Sequence, residues 1–360
     1  MIYEMRLFYA IILFMRKKET YTNKNFKIMV FGMAAMIIIA AGSLLILSYV
    51  VKNLNRIEED ILVNYDAHYV YIVNSDEADF WDEVYESACE QAAEDHIYIE
   101  DLKKSMKVNY SNKDLFRVAI NSSVDGIIFG GTPDEDMVEL INRAVSEGIG
   151  VVLLQNDADS SIRQCFIGVN NYELGQAYAS QIDEVIDNEK LGETIVRTLV
   201  NSDMSEGATN VFTLAIEDYF SEKYPDGEIP EVEIARIDSR DVFSAEEDIR
   251  SSMLDENLPD VMICLSSTFT KCAYQALVDL NRVADTQIVG YFADDTILDA
   301  VDRKLIYSTI SVDTDQMGRF AVQALKEYTD IGYTNSYMSV SISKIGQNEA
   351  RRIINERAKE

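Results

Sequence analysis

From about His68 onward the chain alternates between two hydrophobic rhythms. Short runs rich in Val and Ile, bounded by Gly, Asp or Asn, predict strands; an apolar residue at every third or fourth position predicts a helix. Strands are expected at 69–73, 124–129, 151–154, 165–169, 194–200, 232–237, 261–265, 288–292 and 306–310. Helices are expected at 80–93, where Val84, Ala88 and Ala92 share a face, and at 135–147, 174–186, 245–254, 271–280 and 316–328. Gly148 suits a C-terminal cap before the strand at 151–154. Strand and helix in alternation mean parallel sheets covered on both faces. So many strands suit two doubly wound α/β lobes better than one. No low-complexity linker separates them, so the chain is expected to cross between lobes more than once.

A different rhythm precedes this one. Residues 28–51 carry no charge at all. As a helix such a run rises about 36 Å, enough to cross a hydrocarbon core of about 30 Å. Before it lie Arg6, Arg16, Lys17, Lys18, Lys24 and Lys27 against only Glu4 and Glu19. The positive-inside rule then puts residues 1–27 in the cytoplasm and everything after Lys52 outside. A cleaved signal peptide would have an apolar core of about 7–15 residues and a small-residue cleavage site. The run here is longer and ends in LLILSYVV at 44–51, and the first cysteine, Cys89, lies too far on for a lipoprotein anchor. An uncleaved single-pass anchor is expected. The apolar stretch 7–15 is too short to span, and Met15, followed by Arg16, Lys17 and Lys18, is a second candidate start beside Met1. In 52–66, Leu54, Ile57 and Ile61 stand at helical spacing, which predicts a stalk.

Composition narrows the function. The 360 residues are 48% hydrophobic, with 32 basic against 62 acidic side chains and a net charge of −30. That apolar content excludes a disordered chain, and the length allows about two domains or lobes. So acidic a surface repels nucleic acid. With only His68 and His96 present, a multi-histidine metal site is excluded. Four cysteines, Cys89, Cys165, Cys264 and Cys272, are too few for a disulfide-dependent fold and read as small buried hydrophobes. A bridge between Cys264 and Cys272 stays open, since connectivity cannot be deduced from sequence. Asp157, Asp159 and Ser161 have the opening spacing of a calcium loop, but Ile162 and Gly168 stand where a glycine and a bidentate glutamate are needed. There is no nucleophile elbow, phosphate loop or dinucleotide fingerprint. No enzyme, metal or cofactor is expected.

Several motifs fall in a telling order. VDGIIF at 124–129 is followed by Thr132, Pro133 and Asp134; GIGVVLLQN stands at 148–156 and FIGVNNYELG at 166–175. DVMI at 260–263, IVGY at 288–291, and STI at 308–310 with Met317 and Gly318 complete the series. Together they resemble the sugar-type (type I) periplasmic binding proteins, the ribose- and galactose-binding family, across about 68–330. The resemblance implies two Rossmann-like lobes joined by a multi-stranded hinge and closing on a small ligand, usually a sugar. The same fold forms the ligand-binding core of sugar-responsive repressors, but here a spanning helix replaces any DNA-binding head.

Open parallel sheets bind ligands outside the carboxyl ends of their strands. Those ends here carry Asp79, Phe80 and Trp81; Thr132 and Asp134; Gln155 and Asn156; Ser266 and Ser267; and Asp294 and Asp295. Aromatic faces stack on sugar rings while carboxylates and amides take the hydroxyls. Phe80 and Trp81 match the family's paired aromatics after the first strand. The departures are informative. Ala78 stands where the family often has asparagine, and 203–221 lacks the usual arginine, leaving Asn210 as the nearest polar candidate. Ser266 and Ser267 replace an Asn-Asp pair; Val312, beside Asp313, replaces the hinge glutamine; Phe292 replaces an aspartate. The scaffold is kept while the sugar-clamping set is changed.

The expected organisation is therefore a cytoplasmic segment 1–27, an anchor 28–51, a stalk 52–66, a two-lobed solute-binding domain 67–348 and a tail 349–360. Lobe one takes 67–155 plus 313–340, and lobe two takes 156–312. The expected function is an extracytoplasmic, membrane-anchored solute-binding protein serving an ABC-type sugar importer. The alternatives are a ligand sensor that signals to the ectodomain of a histidine kinase, and a ligand-free scaffold.

Overall fold

The apolar runs become two parallel sheets in the computed structural model, which describes residues 31–34, 36, 40–43 and 65–359 except 74–76, 107–109, 132–133, 187, 239–241, 255–257 and 284. In chain order the main elements of the first half are β1 (Ala67–Val73), α1 (Ala78–Glu94), β2 (Ile97–Asp101), α2 (Leu102–Ser105), α3 (Asn112–Asn121), β3 (Gly126–Gly130), α4 (Glu135–Ser146), β4 (Gly150–Leu154) and β5 (Cys165–Gly168). The second half has α5 (Asn171–Val185), β6 (Ile195–Asn201), α6 (Glu206–Lys223), β7 (Glu231–Ile237), α7 (Val242–Ser252), β8 (Val261–Cys264), α8 (Ser267–Asp279), β9 (Gln287–Tyr291), α9 (Asp295–Asp302) and β10 (Ser308–Val312). The chain closes with α10 (Thr314–Ile331), β11 (Tyr337–Ser339), β12 (Ile342–Ile345) and α11 (Gln347–Arg357).

Among the described residues each sheet has six strands, ordered β11-β5-β4-β3-β1-β2 and β12-β10-β9-β8-β6-β7. All pairings are parallel except β10 with β12. The central strands β3 and β4 are buried at every residue, as strands covered on both faces must be. Strand order reverses between β1 and β3 in one lobe and between β6 and β8 in the other. A doubly wound sheet opens a crevice at that point.

The lobe boundaries differ from those expected. β5 pairs with β4, so the first lobe runs through Gly168 and does not end at 155. β12 joins the second sheet, and α11 packs on α9, so 342–357 belongs to lobe two and 349–360 is no tail. The chain crosses between lobes after β5, after β10 and between β11 and β12. Those crossings are stitched together: Val340 N–H donates to the Gly168 carbonyl and Asp313 N–H to that of Ser341, both at 3.0 Å.

The expected cytoplasmic segment 1–27, the expected stalk up to residue 64 and most of the expected anchor 28–51 lie outside the described residues. Residues 31–34, 36 and 40–43 are helical. Among the described residues no helix is long and apolar enough to cross a membrane. All four cysteines are free thiols, so Cys264 and Cys272 are not bridged. Burial pushes Cys165 up to about 12 and Cys272 up to about 11, which leaves both protonated at neutral pH.

Candidate functional site

Helix α1 opens the site. Its apolar residues Phe80, Trp81, Val84, Ala88 and Ala92 recur at helical spacing and are buried. The tyrosine of β1, Tyr71, donates its hydroxyl to the Trp81 carbonyl at 2.9 Å and fixes the first turn. Trp81 lies against the backbone of Gly130, where a β-carbon would come within 2.6 Å of the ring. Phe80 meets the Trp81 ring edge-on at 4.9 Å between centroids and meets Phe292 of the other lobe at 5.3 Å. The core beneath α1 therefore does not stop at the lobe boundary; it continues into Tyr291 and Phe292.

Polar contacts run along the same seam. Ser267 N–H, at the start of α8, donates to the Glu77 carboxylate at 2.9 Å. Lys271 of α8 sits 2.8 Å from Asp294 and 3.8 Å from Asp79 across the lobes. Arg357 of α11 pairs with Asp295 at 2.7 Å and reaches Glu83 of α1 at 3.9 Å. Burial pushes the Glu83 carboxyl up, against the pull of the Thr314 hydroxyl and Arg357. On the far side of the ring pair, the Gln155 amide donates to the Tyr291 hydroxyl at 3.1 Å. Burial pushes that phenol well above its ordinary range, so it stays protonated. Gln155 and Phe292 both have left-handed backbone, with φ of 66° and 72°. For residues other than glycine this conformation costs energy and tends to cluster at functional sites.

Beyond Tyr291 the lobes enclose a cavity of about 520 Å³. Trp81, Phe166, Leu174, Phe269 and Tyr291 supply apolar wall, and Asn156, Asn171, Asn201, Ser205 and Ser266 supply amides and hydroxyls. Among the described residues its charged lining is all acidic: Glu77, Asp157 and Asp159 from lobe one and Asp203 from lobe two. Asp157 is gripped by the Arg163 guanidinium, which also donates to the Ser336 carbonyl at 2.9 Å. Burial would raise the Asp157 carboxyl, but Arg163 and Asp159 outweigh it and hold it low. Asp159 is pushed up, because it shares a hydrogen bond and a repulsion with Asp157. Asn201 ends β6 and Ser266 follows β8, so the cavity lies at the reversal point of the second sheet.

The sequence candidates divide sharply. Trp81, Gln155, Asn156 and Ser266 line the cavity. Phe80 is buried core, and Ser267 is buried beneath Glu77. Asp134, Asp294 and Asp313 are helix caps, accepting from Met137, Ile297 and Gln316 N–H at 2.9 Å each. Asp79 and Asp295 belong to the ion pairs of the seam, and Asn210 is exposed on α6 outside the lining. Thr132 lies outside the described residues. Sequence reasoning missed Glu77, Asp159, Asn171, Asn201, Asp203 and Tyr291 as lining residues. A strand-end rule could have found Asn201 and Tyr291, which close β6 and β9. Among the described residues no cluster of three or more His, Cys, Asp or Glu could hold a metal ion.

The model of the periplasmic binding protein domain matches residues 69–333. An arabinose-binding protein, AraP, from Geobacillus stearothermophilus superposes with a TM-score of 0.62 at 18% identity, covering 80% of this chain and 99% of that one. The sugar-binding protein of a sugar ABC transporter from Bacillus halodurans gives 0.63 at 20% identity, covering 79% and 99%. A XylFII–LytSN complex gives 0.62 at 19%, covering 79% and 98%. At these identities the structures show likeness of fold. No characterised protein sequence matches the chain.

Proposed function

The chain belongs to the periplasmic binding protein family, whose members bind solutes and are not enzymes, and on that premise we propose that it captures a small, hydroxyl-rich solute between its lobes. The observation that carries this is the cavity beside Tyr291, with aromatic wall, amides, hydroxyls and carboxylates drawn from both lobes. A solute that touches both lobes favours the closed form by its differential affinity for closed over open. Residues 28–51 would hold the protein in the cell membrane, with the N-terminus cytoplasmic and the solute-binding domain outside. In that setting it would pass its solute to the permease of an ABC-type importer.

A second output, sensing, draws on the seam. Phe80 against Phe292, with the ion pairs around it, links the lobes through the protein's own side chains. A closed form stabilised in this way is suited to engage a partner directly, such as the ectodomain of a histidine kinase. The likeness to a XylFII–LytSN complex is in keeping with such a role.

Calorimetry against pentoses, hexoses, polyols and nucleosides tests the solute reading. A saturable hit that quenches or shifts the emission of Trp81 and is lost in Trp81→Ala is the expected result. No heat from any member of the panel at millimolar concentration would remove it.

A further inference from the structure

We propose that the solute carries a positive charge, and that the cavity is a site for a small hydroxylated amine such as an amino sugar. This rests on the solute-binding reading above. The cavity's place at the reversal point makes it the site; the charges decide only what it takes. Its lining holds Glu77, Asp157, Asp159 and Asp203, and among the described residues no Lys, Arg or His lines it.

The cations bordering the lining are already engaged: Arg236 donates to the Met204 carbonyl at 2.7 Å and to that of Ser202 at 3.4 Å, on either side of Asp203. Lys271 lies against Asp294 and Asp79, and Arg357 against Asp295 and Glu83, on the seam side of Phe292. Arg163 lies behind Asp157, tied to it and to the Ser336 carbonyl. Helix α6, which leads away from Asp203, contains no arginine.

Closure has a charge consequence. In the cavity Asp203 of one lobe shares the lining with Glu77, Asp159 and the Arg163-paired Asp157 of the other. As water leaves the closing cleft, like charges repel more strongly. Hydroxyl groups can donate to these oxygens, but they bring no countercharge. An ammonium group does both, since it donates three hydrogen bonds and carries the missing charge. The net charge of −30 draws cations toward the protein and repels phosphorylated or carboxylated sugars. The charge relieved on binding is thus the differential affinity that closes the lobes.

The test is calorimetry on the full-length chain with solutes matched in shape and graded in charge. The set is glucosamine, N-acetylglucosamine, glucose and glucuronate, with the corresponding galactose series. Each amine is expected to bind about tenfold or more tightly than its neutral counterpart, equivalent to about 1.4 kcal/mol, with the acids silent. Added salt should narrow that gap. The double variant Asp159→Asn, Asp203→Asn changes two exposed side chains. It should still fold and melt cooperatively while losing the preference for amines over neutral sugars. A neutral sugar or an acid that binds as tightly as its amine overturns the charge assignment and leaves solute binding standing. So does an amine preference that survives the double variant. If no solute of any charge binds, solute binding falls and the charge assignment falls with it.

Discussion

Two atoms of the Trp81 ring, Cη2 and Cζ3, lie 2.6 Å from where a β-carbon on Gly130 would stand, and Val73 Cγ1 lies at 2.9 Å. Gly130→Ala must therefore push the indole off its shelf, and overpacking of this kind costs about 1–3 kcal/mol. Trp81 is the sole tryptophan, so one denaturation series reads both the lowered midpoint and a shifted native emission spectrum. An unaltered spectrum would mean the ring does not rest on that backbone. Asp159 gives a prediction of opposite sign. Its carboxyl is raised by Asp157, so the folded state loses stability as pH rises through that raised value. Asp159→Asn lacks the loss. It should be the more stable form at pH 7 and lose its advantage at acid pH below that raised value, where the wild-type carboxyl is itself protonated. The gain should stay below about 0.5 kcal/mol, because the side chain is exposed and solvent screens it; urea melts at the two pH values decide it. These residues also show why the site was only partly legible in the sequence. An aspartate or serine after a strand serves equally as a ligand contact and as a helix cap. Asp134, Asp294 and Asp313 went to caps, whereas Ser266 caps α8 by accepting from Phe269 N–H and lines the cavity as well. Periodicity alone carries no signal to separate the two uses.

At the scale of elements, α1 is an inter-lobe seam as well as a core helix. Glu77 at its start, then Asp79, Phe80 and Glu83, all reach residues of lobe two. Phe292→Ala removes the ring that Phe80 meets, and truncating a buried phenylalanine costs about 3–5 kcal/mol. It should also loosen the lobes. The solute-free unit Tyr65–Glu360 is expected to give a larger radius of gyration by small-angle X-ray scattering. Phe116→Ala is the control: that ring is buried against Phe129 within lobe one. The control should lose comparable stability with no change in radius. Equal radii for wild type and Phe292→Ala would show that the ring pair does not hold the lobes together. Legibility follows burial here too. β3, β4 and β8 are apolar at nearly every residue and were visible as strands. β2 places Tyr98 in solvent between Ile97 and Ile99, and β11 is three residues long with its ends exposed. α11 buries only Ala350 fully. Such elements are set by pairing at a sheet edge or by packing on a neighbour, so a single sequence carries little of their pattern.

Across the whole molecule, the C-terminal segment decides whether two lobes make one protein. β11 adds a parallel strand to the first sheet beside β5, and β12 an antiparallel one to the second beside β10. α11 then covers α9, and its Arg357 reaches Glu83 in the opposite lobe. The stretch also buries Val340 and Ile345 and packs Met338, Ile342, Ile353 and Ile354 against both cores. Each apolar side chain fully buried is worth about 1.5–3 kcal/mol. Ending the chain after Gly332 therefore removes apolar burial comparable with the net stability of a domain, about 5–15 kcal/mol. It also opens an edge on each sheet to other chains. The shortened protein is expected to be insoluble, or soluble without a cooperative urea transition. Deleting residues 1–64 should leave the transition of the remainder in place, because Tyr65–Glu360 is a compact unit by itself. If the chain ending at Gly332 melts at the same midpoint as the longer one, the last residues are an appendage and the lobes are held by the first two crossings alone. If it does not melt cooperatively while the N-terminal deletion does, the third crossing completes both sheets and belongs to the fold.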